Sequence, residues 1–131
     1  TTSGCQFINL QYGDVEAELA SLKDGQKINV FSDTSIDPLS NMDSYASFIA
    51  ALDLVISIDN STVHLSGSLG VPTWTLLPFV PDWRWMLERT DTPWYPSMRL
   101  FRQDKAGDWD SVIENVRMAL IEKVSNRQLA N

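Results

Sequence analysis

Asp53-Leu54-Val55-Ile56-Ser57-Ile58-Asp59-Asn60-Ser61-Thr62-Val63-His64-Leu65-Ser66-Gly67-Ser68-Leu69-Gly70-Val71-Pro72 is the stretch from which the fold of this chain is read. Its opening run, 54–58, is almost continuously apolar, as a parallel strand covered on both faces should be. Asp59, Asn60, Ser61 and Thr62 follow at once. All four residue types cap helices well, so a helix is predicted to begin there and to run over 63–69. Gly70 stops it, with Pro72 two residues on. Ser66, Gly67 and Ser68 are small and allow the helix to approach a sheet closely. The next buried strand is predicted over 73–77, ended by Pro78.

The same strand–helix alternation continues outward. Residues 6–10 read as a short strand ended by Tyr12-Gly13-Asp14, with Asp14 placed to cap a helix over 15–23 that carries Val15, Leu19 and Leu22 at helical spacing. Asp24-Gly25 closes that helix, 27–31 is a second strand, and 32–41 is a polar loop. Tyr45, Phe48, Ile49 and Leu52 mark a second amphipathic helix, capped by Asn41 or Asp43. Beyond the central stretch, 79–96 is rich in Trp and Pro and has no periodicity. Residues 98–102 read as a last strand. Asp108 caps a long helix with Val112, Ile113, Val116, Leu120 and Val124 on one face. This is an α/β domain with a parallel sheet, of simplest strand order 2-1-3-4-5, occupying 1–131 as one domain.

Composition narrows the function. Hydrophobic residues make up 44% and charged residues 21% of 131, ordinary for a globular chain. A net charge of −7 argues against broad nucleic-acid binding, because an acidic surface repels a phosphate backbone. One cysteine and one histidine leave no internal disulfide and no clustered metal site, so no metal is expected. No apolar run reaches the roughly 20 residues of a bilayer span, and no signal peptide is visible, which points to the cytoplasm. The start at Thr1 rather than Met reads as a piece of something longer. The charge is uneven: residues 1–82 hold two bases against ten acids, whereas 83–131 hold eight against seven. Five of those bases, Arg84, Arg89, Arg99, Arg102 and Lys105, lie close together. Most are expected on a solvated surface. Arg84, between Trp83 and Trp85, is the best candidate to meet a diphosphate. The tryptophans of this loop could form a sugar platform or a lid, but burial that pins the loop is the favoured reading.

In open parallel sheets, ligands bind beyond the carboxyl ends of strands. The turn 59–62 sits at such an end and opens a helix, whose first amides lack internal partners and carry partial positive charge. That suits a phosphate. The hydroxyls of Ser61 and Thr62 add donors, and His64 lies in the first turn, able to donate to an anion or a sugar hydroxyl. Neither G-x-G-x-x-G, nor a P-loop lysine, nor a G-x-S-x-G elbow is present.

The run 53–72 resembles the nucleotide-sugar segment of GT-B glycosyltransferases, most closely the heptosyltransferase-like family 9. The continuation Leu77-Pro78-Phe79-Val80-Pro81-Asp82-Trp83-Arg84-Trp85, then Thr92-Pro93-Trp94-Tyr95-Pro96 and Leu100-Phe101-Arg102-Gln103, resembles a narrower group: bacterial tetratricopeptide-repeat proteins with such a domain at the C-terminus. The resemblance implies a Rossmann-like, three-layer parallel sheet, the C-terminal half of a GT-B fold, lacking the family's first strand; if that strand belongs between strands one and three of this chain, its absence leaves a gap in the sheet there. It implies a nucleotide diphosphate sugar as ligand, no cofactor, and a donor site at Asp59, Asn60, Ser61, Thr62 and His64. Asn60 stands where relatives carry Thr or Ser. Gln11 and Asp14, and less directly Glu16, match positions that contact the ribose or base, and the base pocket falls near Asn41 and Met42. The acceptor site and the catalytic acid/base of such enzymes belong to an N-terminal domain, so no catalytic residue is expected in this chain. Its partners would be that domain and tetratricopeptide repeats. The alternative is a non-catalytic binding or assembly module of the same fold. A nucleotide-sugar 2-epimerase fits less well, because His64 stands where that group carries Glu.

Overall fold

A computed structural model describes residues 4–25 and 30–130. Over these residues the chain is α/β, with parallel strands in two small sheets and four α-helices. It divides into two compact units, Thr1–Tyr45 with Leu120–Asn131, and Ala46–Ala119.

The first unit holds β1 (Phe7–Ile8), α1 (Glu16–Gly25) and β2 (Val30–Phe31). β1 and β2 pair in parallel, Phe7 opposite Val30 and Ile8 opposite Phe31, and the Asn9 amide adds a bond to the Phe31 carbonyl at 2.8 Å. The Asp14 carboxylate accepts from the Glu16 amide at 3.4 Å and so opens α1, as its position predicts. The part of the predicted second strand before Val30 lies outside the described residues. Helix α2 (Met42–Ala50) is capped by Asn41, whose side-chain oxygen accepts from the Ser44 amide at 3.0 Å. Its Tyr45 is buried and donates to the Leu10 carbonyl at 3.4 Å.

The second unit is built on β3 (Val55–Ile58), α3 (Ser61–Ser68), β4 (Thr73–Leu77) and β5 (Met98–Arg102), in sheet order β3-β4-β5. All pairs are parallel, with Val55 opposite Thr73 and Thr73 opposite Met98. Alternation puts Val55, Ser57, Thr73, Thr75, Leu77, Met98 and Leu100 on one face. On that face Val63 of α3 packs with Leu77, Met98, Leu100 and Trp85 in a closed apolar core, with Tyr95 at its margin. Of the small α3 residues, Ser66 meets the sheet: Thr73 Oγ1 donates to its Oγ at 2.9 Å, and both side chains are fully buried. On the other face Trp74 and Phe101 pack at 5.3 Å between ring centroids, and the Arg99 guanidinium lies 4.6 Å from the Phe101 ring.

Three expectations need correction. The strands form two sheets rather than one: β1 pairs only with β2, and β3 only with β4, among the described residues. Secondly, β3 is not covered on both faces. Val55 is buried, whereas Ile56 and Ile58 are 36% and 56% exposed. Thirdly, the apolar face of α4 (Trp109–Leu129) runs through Val112, Val116, Ala119 and Leu120, and Ile113 stands exposed beside it. The Asp108 cap is as expected, its carboxylate accepting from the Ser111 amide and hydroxyl at 3.1 and 2.7 Å.

Candidate functional site

The site is assembled where β3 ends and α3 begins. Asn60 has extended backbone, and its side chain is used locally: Oδ1 accepts from the Thr62 amide at 2.9 Å, and Nδ2 donates to Ser57 Oγ at 3.0 Å. The turn is thereby fixed at both ends. At the far end of α3, Gly70 takes φ +72°, its amide reaching the Gly67 carbonyl at 3.1 Å and that of Val71 the Ser66 carbonyl at 3.0 Å. This 6→1 and 5→2 pair of bonds ends the helix and requires the left-handed conformation that glycine adopts without strain.

The cap changes what the first turn offers. Thr62 is buried, and its amide is bonded to Asn60. The turn 59–62 therefore offers less than expected: Asn60 and Thr62 hold it, and Ser61 is the exposed member. Asp59 and His64 flank it, half-exposed at 27% and 35%, with 3.8 Å between Asp59 Oδ1 and His64 Nε2. That distance is too long for a direct hydrogen bond and fits one bridging oxygen.

His64 is held from behind. Its ring stacks on Trp85 at 5.3 Å and 22°, and its Nδ1 lies 3.0 Å from the Tyr95 hydroxyl. The Tyr95 ring lies against Gly67. A Cβ on Gly67 would sit 2.6 Å from Tyr95 Cγ. The small residue in α3 thus makes room for an aromatic ring of the 79–96 loop, whereas Ser66 is the one that faces the sheet. Trp85 and Tyr95 were not singled out as site residues by the sequence. They lie 21 and 31 positions from His64, and no local spacing links them to it. A glycine inside a helix, one turn after the histidine, is the one local hint that something large lies alongside.

Arg84 occupies a 3-10 turn, Trp83–Trp85, and is engaged within the loop. Its Nη1 bonds Asp82 at 2.9 Å, and its guanidinium lies 5.2 Å from the Trp83 ring centroid. The neighbouring bases are similarly engaged. Arg89 pairs with Asp91 at 2.7 Å, and Arg102 donates to the carbonyls of Trp85, Met86 and Arg89. Burial pushes the Arg102 guanidinium below its ordinary value. The loop tryptophans divide. Trp85 is buried as the favoured reading expects, but Trp83 and Trp94 are 72% and 54% exposed, edge to face at 6.5 Å. The Trp94 indole N–H donates to the Arg84 carbonyl at 3.0 Å, which fixes that ring without covering it.

Gln11, Asp14 and Met42 lie in the first unit, all exposed. The Gln11 amide donates to Asn9 Oδ1 at 3.0 Å, Asp14 caps α1, and Met42 is the first residue of α2. Among the described residues no three His, Cys, Asp or Glu side chains gather as metal ligands, and no helix is long and apolar enough to cross a membrane.

Over 119 residues the chain is 37% identical to Protein FlbA of Caulobacter vibrioides. The match takes in 91% of this chain and 20% of that protein, so the chain spans about a fifth of its relative's length. No family model matches the chain, and no solved structure matches it.

Proposed function

We propose that this chain is the donor-binding part of a glycosyltransferase that moves a sugar from a nucleotide diphosphate sugar to an acceptor hydroxyl. The observation that carries the reading is the convergence of Asp59, Ser61 and His64, all at least partly exposed, where β3 runs out and α3 starts. Carboxyl ends of parallel strands are where open α/β sheets take ligands, and a helix start favours negative charge. In the whole protein an acceptor hydroxyl would attack the anomeric carbon, and the start of α3 would stabilise the departing diphosphate electrostatically. The groups that activate the acceptor would come from another domain.

The test is a titration of the chain with UDP, GDP and ADP sugars, followed by tryptophan fluorescence. Trp85 stacks on His64 and is the internal reporter. A saturable change with one nucleotide class is expected, with no sugar transfer by this chain alone. Silence with all three overturns the donor reading, and transfer by the isolated chain overturns the division of labour.

A second reading, a non-catalytic assembly module of the same fold, is favoured by one feature. Phe79, Val80, Trp83, Leu87 and Trp94 are all exposed on the 79–96 loop. Apolar patches of this kind commonly mark contacts with other proteins. Silence in the titration would leave this reading standing.

A further inference from the structure

We infer that Tyr95 is a positioning residue: seated on Gly67, it fixes the orientation and tautomer of His64, so that the Asp59–His64 pair recognises a ligand hydroxyl rather than a phosphate oxygen. The hydroxyl part rests on the donor-site reading above; the positioning part does not.

The two ring nitrogens of His64 have different neighbours. A neutral imidazole has one donor and one acceptor nitrogen, and the partner of each decides which is which. Nε2 faces the Asp59 carboxylate across 3.8 Å. An ionised carboxylate only accepts, so the proton is favoured on Nε2. Nδ1 is then the acceptor, and the Tyr95 hydroxyl, 3.0 Å away, donates to it. Trp85 closes one ring face of His64, and the Tyr95 ring meets it at 61°, leaving the imidazole little freedom to turn. Tyr95 is itself confined, because its ring fills the space a Gly67 side chain would take.

An N–H donor and a carboxylate acceptor are then presented side by side, too far apart to satisfy each other. The group that fits between them both accepts and donates one hydrogen bond, as an alcohol does. A phosphate oxygen could accept from Nε2 but would be repelled by Asp59. The Asp59–His64 pair therefore reads a hydroxyl, of the ribose or of the transferred sugar, while negative charge belongs nearer Ser61.

His64 is the only histidine in the sequence, so its imidazole can be read without assignment. The experiment is 15N–1H correlation spectroscopy of the histidine-labelled chain at about pH 9, where an ordinary imidazole is neutral. The expected result is a single tautomer protonated on Nε2. In Tyr95→Phe, which keeps the ring on Gly67, the Nδ1 resonance should move by several ppm toward that of a free acceptor. Gly67→Ala, which displaces the ring, should give the same shift. An Nδ1-protonated imidazole in the parent chain, or an unchanged Nδ1 resonance in Tyr95→Phe, overturns the positioning role.

The hydroxyl role is read with UDP-glucose, UDP and inorganic pyrophosphate, in the parent chain and in Tyr95→Phe. A five- to twentyfold loss of UDP-glucose affinity with pyrophosphate unchanged is expected. Parallel loss of UDP affinity places the hydroxyl on the ribose, and unchanged UDP affinity places it on the sugar. Equal losses for all three probes, pyrophosphate included, overturn the hydroxyl role. The expected resonances without nucleotide binding would overturn the donor reading and the hydroxyl role together, leaving the positioning of His64 established.

Discussion

Position 67 shows how a single residue joins helix, loop and site. On helix propensity alone, alanine would improve an interior position by about 1 kcal/mol. Here the added methyl would lie 2.6 Å from the Tyr95 ring, and an overlap of that size costs about 1–3 kcal/mol. The overlap outweighs the propensity, so Gly67→Ala is expected to lose about 1 kcal/mol net in urea unfolding. A gain in stability would show that Tyr95 can move aside freely. The residue is legible in the sequence as small, but its reason is not: close approach to a sheet is an equally good account until the partner is known. In the structure the sheet contact belongs to Ser66, through the hydroxyl of Thr73. Asn60 was likewise legible as a cap, and its side chain is bonded to Ser57 and Thr62 rather than presented to a ligand.

At the scale of elements, the central and C-terminal segments are the most legible. β4 and β5 span the predicted residues: β4 lies between Pro72 and Pro78, and β5 follows Pro96 and ends at the polar run from Gln103. α3 begins two residues earlier than predicted, since Asn60, one of the four candidate caps, is the one that serves. The 79–96 loop was legible only as irregular. What organises it is Arg102, whose guanidinium donates to three loop carbonyls, those of Trp85, Met86 and Arg89. Nothing in local spacing reveals an arginine that bonds backbone 13 to 17 residues away. Hydrogen bonds from a charged donor contribute more than neutral ones, so Arg102→Met is expected to cost about 2–3 kcal/mol. Amide exchange over 85–90 should accelerate at the same time. Unchanged exchange there would mean the loop is held by its buried Trp85 alone.

At the scale of the molecule, the acidic balance has a definite pH signature. Hydrogen bonds from Ser35 hold the Asp33 carboxyl below its ordinary range, and those from Ser111 do the same for Asp108. Hydrogen bonds from Arg89 and Arg117 lower Asp91 and Glu114. A carboxyl lowered by folding contributes stability that is complete above its unfolded value and lost as pH falls through the folded one. Melting temperature should therefore hold level down to about pH 5 and drop below about pH 4, where ordinary carboxyls begin to protonate. Asp108→Asn should shallow that drop, since it removes one of the titrating contacts. A steeper acid limb in the variant would contradict the assignment. These contacts are all exposed, and the clustered arginines are mostly spent within the chain, on acids two residues away or on loop carbonyls. Sequence arithmetic could locate the positive cluster, but not its in-chain partners.

The sheet of the second unit ends, among the described residues, at a strand bonded on one side only, with Ile56 and Ile58 uncovered on one face. No lysine, proline or bulge blunts that margin, although these are the devices that usually keep such strands from recruiting others. Concentrated solutions of the chain are therefore expected to associate edge to edge, and a charged residue at position 58 is the natural first remedy when material for spectroscopy is prepared.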